Sequence, residues 1–120
     1  MTRKPIIFGN WKMNKTPSEA LEFFKGIEGY VTGDEAADYG IGAPYVDLDV
    51  CVKNAGKIAI AAENCNEVDS GAYTGEVSVP MLKEIGITYC NCSLCIFRLF
   101  KYTHRTVPEY CLCTFQLFLE

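Results

Sequence analysis

The chain has 120 residues, 49% of them apolar, with a formal net charge of -4 and a pI near 5.0. That is a size for one globular domain with an ordinary core. The acidic balance, without a Lys/Arg cluster, argues against nucleic acid and anionic membrane as main partners and favours a small molecule or a protein. No segment reaches the roughly 18 consecutive apolar residues of a membrane span, and the run after Met1-Thr2-Arg3-Lys4 is too short for a signal-peptide core, so the expected compartment is cytoplasmic.

In chain order, residues 5–10 read as a short parallel strand buried on both faces, because the apolar Ile6, Ile7 and Phe8 are consecutive instead of alternating. A helix is expected next. Thr16 is a natural N-cap, Pro17 suits the first helical position, and Glu19 completes a Thr-x-x-Glu capping box. Leu21, Phe24, Ile27 and Val31 mark its buried face, and Gly33 is the expected stop. Residues 39–43 read as a second strand, despite Gly40 and Gly42. Between Val46 and Val52 the pattern fits either a strand or a helix with Leu48, Cys51, Val52 and Ala55 inward. A helix is preferred, because parallel strands need a crossover there.

Residues 58–62 form a third buried strand, and a long polar loop over residues 64–77 follows. Ser78 is placed to cap a short helix with Pro80 in its first turn and Gly86 at its end, before a fourth strand at residues 87–90. The order βαβαβαβ specifies an α/β fold with a parallel sheet. Such sheets hold ligands at the carboxyl ends of their strands, which puts Asn10 and Lys12 at a candidate site.

The composition changes near residue 90. All ten glycines lie at or before Gly86, no alanine follows Ala72, and of seven cysteines only Cys51 and Cys65 precede Cys90. Cys90, Cys92, Cys95, Cys111 and Cys113 crowd the end, and an odd count without a signal peptide does not describe a secreted disulfide scaffold. Two domains are therefore expected, 1–90 and a tail of different sequence type over 91–120.

Two blocks carry a family resemblance. Gly9-Asn10-Trp11-Lys12-Met13-Asn14 resembles the first strand and loop of triosephosphate isomerases, and Asp69-Ser70-Gly71-Ala72-Tyr73-Thr74-Gly75-Glu76-Val77-Ser78 resembles their long third loop. The resemblance implies a partial (β/α)8 TIM barrel with about the first four strands, since a complete barrel needs about 250 residues. It also implies interconversion of dihydroxyacetone phosphate and glyceraldehyde 3-phosphate, in glycolysis and gluconeogenesis, with no cofactor and no metal. Triosephosphate isomerases are themselves a worked case of tuned acid-base chemistry, with a glutamate base, a neutral histidine electrophile and a closing loop. By resemblance Asn10 and Lys12 bind the triose phosphate. Thr74, Gly75 and Glu76 belong to the loop that reaches a second subunit in the family's homodimer, with Thr74 approaching the partner's site. Gly71 and Gly75 allow the sharp turns of that loop.

The chain departs from the family after the fourth strand. Where the family continues Gly-His-Ser-Glu-Arg-Arg, this chain reads Ser93-Leu94-Cys95-Ile96-Phe97-Arg98, so Leu94 stands at the electrophile's position. The segment bearing the glutamate base has no counterpart in the 120 residues. A positioned acid or base contributes about 10²- to 10⁴-fold, so this polypeptide alone is expected to be inactive as an isomerase. Alternative readings are a non-catalytic fragment, a frameshift or intron-retention product, or a Cys-rich metal-binding tail. In the last, the tail cysteines and His104 would offer thiolate and imidazole ligands, at spacings unlike the paired Cys-x-x-Cys of common zinc sites. Four barrel strands alone would also leave two sheet edges unpaired and one apolar face uncovered, with Phe97, Phe100, Phe115 and Phe118 of the tail available to cover part of that face.

Overall fold

A computed structural model describes residues 4–92, 95–98 and 116–117, with backbone alone for Cys92, 95–98 and 116–117. Four strands run parallel: β1 (Ile6–Asn10), β2 (Asp38–Ala43), β3 (Ala59–Ala62) and β4 (Tyr89–Cys92). Helices α1 (Pro17–Gly26), α2 (Tyr45–Asn54) and α3 (Val79–Glu84) connect them in turn. This is the half-barrel expected from the alternating element order.

Alternation along the strands builds two different faces. Ile41, Ala43, Ile60, Ala62 and Cys90 point toward the helices and join Ala20, Phe24, Leu48, Cys51, Val79 and Leu82 in one core. On the opposite face Phe8 and Ala61 form a second cluster, flanked by Ile6, Ala59 and Tyr89. The middle strands place Gly40, Gly42, Ala59 and Ala61 on that inner face. A Cβ on Gly40 would lie 2.2 Å from the Phe8 ring, so only glycine lets that ring cross β2 and meet Tyr89 edge-on at 6.1 Å.

Helix α1 begins as its sequence dictates. The Thr16 N–H donates to Glu19 Oε2 at 2.7 Å, and the Glu19 N–H donates back to Thr16 Oγ1 at 3.4 Å. The contact with Thr16 holds the exposed Glu19 carboxyl below its ordinary range. Thr16→Ala removes one half of this box and is expected to cost about 0.5–2 kcal/mol, read as a lower urea midpoint with an unchanged slope.

The helix stops at Gly26, not at Gly33, so Val31 lies beyond it and Ala20 joins Phe24 as a buried residue. Directly after Gly26 the chain turns, with the Tyr30 N–H donating to the Ile27 carbonyl at 3.1 Å and Gly29 at φ +83°, and further on the Thr32 and Gly33 N–H groups donate to Glu35 at 2.7 and 2.9 Å ahead of β2. Ser78 does stand at the N-cap of α3, but its buried hydroxyl makes no capping bond. The fourth strand lies two residues later than the pattern suggests, with Ile87 buried ahead of it.

The outer edges of the four parallel strands are both paired, contrary to the expectation of two open edges. Strand β5 (Cys95–Arg98) runs antiparallel to β4, with Asn91 opposite Ile96, and β6 (Gln116–Leu117) runs parallel to β1. The sheet order is β5-β4-β3-β2-β1-β6. Backbone donors and acceptors, which no pattern of side chains reveals, find partners in the tail. Phe100, Phe115 and Phe118 lie outside the described residues, and of Phe97 only the backbone is described.

Candidate substrate-binding corner

The end of β1 distributes consecutive residues in different directions. Asn10, half-buried, shares the inner face with Phe8, whereas Trp11 turns into the helix-side core, where it is 8% exposed. The Trp11 N–H continues the sheet by donating to the Gly42 carbonyl at 2.9 Å. Its indole stacks edge-on against Phe23 at 5.4 Å, with Phe24 at 6.0 Å and the Lys15 ammonium 5.4 Å above it. Trp11 therefore anchors the loop, so that the residues on either side of it have fixed positions.

Lys12 is exposed and has φ +55°, in the left-handed region that a lysine rarely enters. Two bonds hold it there: the Lys12 N–H donates to Asn10 Oδ1 at 2.9 Å, and Asn14 Nδ2 donates to the Trp11 carbonyl at 2.7 Å. A non-glycine residue in this region costs of order 1–3 kcal/mol and persists where its surroundings over-determine it, a pattern found at ligand-binding sites. Asn10 and Lys12 are thus joined in one hydrogen-bonded unit at the carboxyl end of β1.

Two acidic residues near this corner carry no mark in the sequence pattern. Glu63, just after β3, is drawn under the loop, and a Cβ on Gly42 would lie 3.9 Å from its Cγ. Burial pushes the Glu63 carboxyl above its ordinary range, opposed by the Lys12 backbone N–H and reinforced by Asp47. Its Oε1 is buried and unbonded. The available signal was its position, one residue beyond the carboxyl end of a parallel strand.

Asp47, in the first turn of α2, is fully buried with neither carboxylate oxygen hydrogen-bonded. Burial raises its pKa, and the charge of Glu19 adds to the rise while Lys15 opposes it. A raised folded-state pKa means that the folded chain holds the proton over a pH window where the unfolded chain has lost it. Stability contributed by this group therefore falls as pH rises from the unfolded value of 3.8 through the folded one. Asp47→Asn is expected to flatten that fall and to stabilise the chain at neutral pH, measured as urea midpoints across an acid-to-neutral series.

The long loop projects from the same end. Its base is closed by Asn66, whose N–H donates to the Val77 carbonyl at 2.8 Å and whose Nδ2 donates to Glu76 Oε2 at 3.0 Å. Next to that base Thr74 and Gly75 are the central residues of a turn in which the Glu76 N–H donates to the Tyr73 carbonyl at 3.1 Å. Gly75 has φ +85°, the conformation for which glycine is preferred at the third turn position. A Cβ on Gly71 would lie 2.7 Å from the Tyr73 ring. Thr74, Gly75 and Glu76 are all exposed, on a loop separate from the Asn10 and Lys12 corner.

Among the described residues, no group of three or more His, Cys, Asp or Glu side chains could hold a metal ion, and no helix is long and apolar enough to cross a membrane. His104, Cys111 and Cys113 lie outside the described residues, and Cys92 and Cys95 are described by backbone alone.

A parallel half-barrel with a strained, hydrogen-bonded Asn-Trp-Lys loop at the carboxyl end of its first strand defines a β/α-barrel protein with a candidate ligand corner. The triosephosphate isomerase family profile matches residues 5–92, and the chain belongs to that family. It is 45% identical over 91 residues to a triosephosphate isomerase of Streptococcus suis, covering 74% of this chain and 36% of that one. The counterpart in Acetivibrio thermocellus is 47% identical with the same coverage. The crystal structure of the Bartonella henselae triosephosphate isomerase superposes with a TM-score of 0.64 at 33% identity, over 73% of this chain and 37% of that one. The chain thus spans little more than a third of the relatives it matches.

Proposed function

We propose that residues 1–90 form the substrate-binding corner of a triosephosphate isomerase, in which Asn10 and Lys12 receive the triose phosphate and residues 74–76 reach a second subunit. The observation that carries this reading is the Asn10–Lys12 unit, a strained backbone held by hydrogen bonds where a barrel enzyme binds its ligand. In the isomerisation the substrate passes through an enediolate, and the Lys12 ammonium offsets negative charge on the phosphate and developing oxyanion. Asn10 fixes the Lys12 backbone by accepting its N–H, and Glu63 lies beneath it.

The electrophilic histidine and the glutamate base have no counterparts in this reading of the 120 residues, and Leu94 stands where the family has the histidine. The chain therefore contributes binding elements, and catalysis requires the rest of a barrel. Residues 91–120 form a unit of different sequence type that takes no part in the reaction.

A chimera tests the proposal. Residues 5–92 of this chain replace the matching segment of the Streptococcus suis relative, which supplies the remaining barrel. Isomerase activity in the purified chimera is expected. A chimera that folds as a dimer yet fails to turn over triose phosphate would show that this corner is not a competent binding element.

A further inference from the structure

Where β4 meets the strand laid against its outer edge, the backbone register sets two cysteines opposite each other. Strand β5 runs antiparallel to β4 through the pairs Tyr89 with Arg98, Cys90 with Phe97, Asn91 with Ile96 and Cys92 with Cys95. The last pair lies at the carboxyl end of β4, and Ser93 and Leu94 are all that separate its two members along the chain. Directly opposed residues of an antiparallel pair share one face of the sheet, with Cα atoms about 4.5 or 5.5 Å apart. Both separations fall within the roughly 4.4–6.8 Å that a disulfide spans.

The same register sets the neighbouring cysteine apart. Cys90 is opposite Phe97, two residues along β5 from Cys95, and such diagonal neighbours stand about 7–8 Å apart, beyond that span. Cys90 is also 1% exposed, and its thiol donates to the Asn91 carbonyl at 4.0 Å. Strand β5 is four residues long and occupies the edge of β4 at which a further parallel strand would extend the half-barrel. We propose that Cys92 and Cys95 form a redox-active pair, closing to a disulfide on reaction with a low-molecular-weight disulfide and stapling β5 to the outer edge of β4.

The step balances with that reagent as the two-electron oxidant. The thiolate of one cysteine attacks a sulfur of the reagent, forms a mixed disulfide and expels one thiolate. The other cysteine, its proton passing to solvent, attacks the protein-bound sulfur and expels the second thiolate. Two protein thiols become one disulfide, and the reagent becomes two thiols. Strand pairing and the bond favour each other reciprocally, because the paired backbone already holds positions 92 and 95 opposite one another.

The test uses the 120-residue chain equilibrated with reduced and oxidised glutathione at set ratios. Free thiols are alkylated, disulfides are reduced, and the thiols so released are marked with a second reagent. The tryptic peptide 84–98 then reports which two of its three cysteines were joined. Cys92 and Cys95 are expected to carry the second mark and Cys90 the first. Formation of the bond against glutathione should be at least about tenfold more favourable in native buffer than in guanidinium. Ile96→Pro/Phe97→Pro removes an N–H directed at β4, since successive N–H groups of a strand point to opposite edges, and should bring the native value down to the guanidinium one. Cys111→Ser/Cys113→Ser should leave the bond unchanged. In the unsubstituted chain, whatever the folding of the proline variant, oxidation should slow hydrogen exchange of the amides at 89–92. Cys90 as a member of the main linkage, equal bond formation in native buffer and guanidinium, or exchange at 89–92 indifferent to oxidation would each overturn the proposal.

Discussion

Lys12→Met in the chimeric barrel is expected to lower kcat/KM by roughly 10³-fold. A positive charge about 4 Å from an anion, at an effective dielectric of about 20, interacts by roughly 4 kcal/mol, and each 1.36 kcal/mol of lost transition-state stabilisation is tenfold in rate. Methionine isolates the charge because it keeps an unbranched side chain and meets the same backbone penalty at φ +55°. Glycine would confuse the result by relieving the strain. Steady-state kinetics on chimeras of matched dimer content make the measurement. An unaltered kcat/KM would remove Lys12 from the binding machinery and with it the reading of this corner.

The second expected result concerns the polypeptide of 120 residues by itself, which should turn over triose phosphate roughly 10⁴- to 10⁸-fold more slowly than a full-length relative. Two positioned proton-transfer groups, each contributing about 10²- to 10⁴-fold, set that range. Leu94 cannot donate a hydrogen bond to a carbonyl. Pairing adds a geometric obstacle: β5 lies antiparallel on the edge of β4, and β6 lies on the edge of β1, where further barrel strands would have to add. Protein expressed in a host whose own isomerase gene is deleted provides the clean assay. Turnover that copurifies with the chain and approaches that of a complete enzyme would refute the expectation.

Much of the half-barrel was legible because its local signals agree with one another. Consecutive apolar residues gave β1 and β3, and the Thr16 and Glu19 spacing gave the start of α1. The ambiguous stretch around Val46 resolved as helix α2, with Leu48 and Cys51 inward as its helical spacing implies. The end of α1 was less legible: Gly33 was the expected stop, and the helix ends at Gly26. Gly29, at φ +83°, takes the chain out of helical conformation three residues later.

At the site, the residue types at 10 and 12 were legible from sequence, but the strain that joins them was not. The φ of +55° at Lys12 is held by the Lys12 N–H bond to Asn10 Oδ1 and the Asn14 Nδ2 bond to the Trp11 carbonyl, and residue types alone do not show which side chains make such bonds. Glu63 escaped notice because one carboxylate after a strand resembles any loop residue until burial raises its pKa. Asp47 escaped for a related reason. Acidic residues belong in the first turn of a helix, and only the packing of α1 against α2 removes this one from water.

By itself the sequence determined the family, the order of strands and helices through the four parallel strands, and the candidate pair Asn10 and Lys12, because these depend on residue type and spacing along one segment. The tertiary structure decided the burial of Glu63 and Asp47 and the pairing of both sheet edges. Each of those arises between segments distant in the chain, where desolvation and backbone hydrogen bonding are set by what packs alongside.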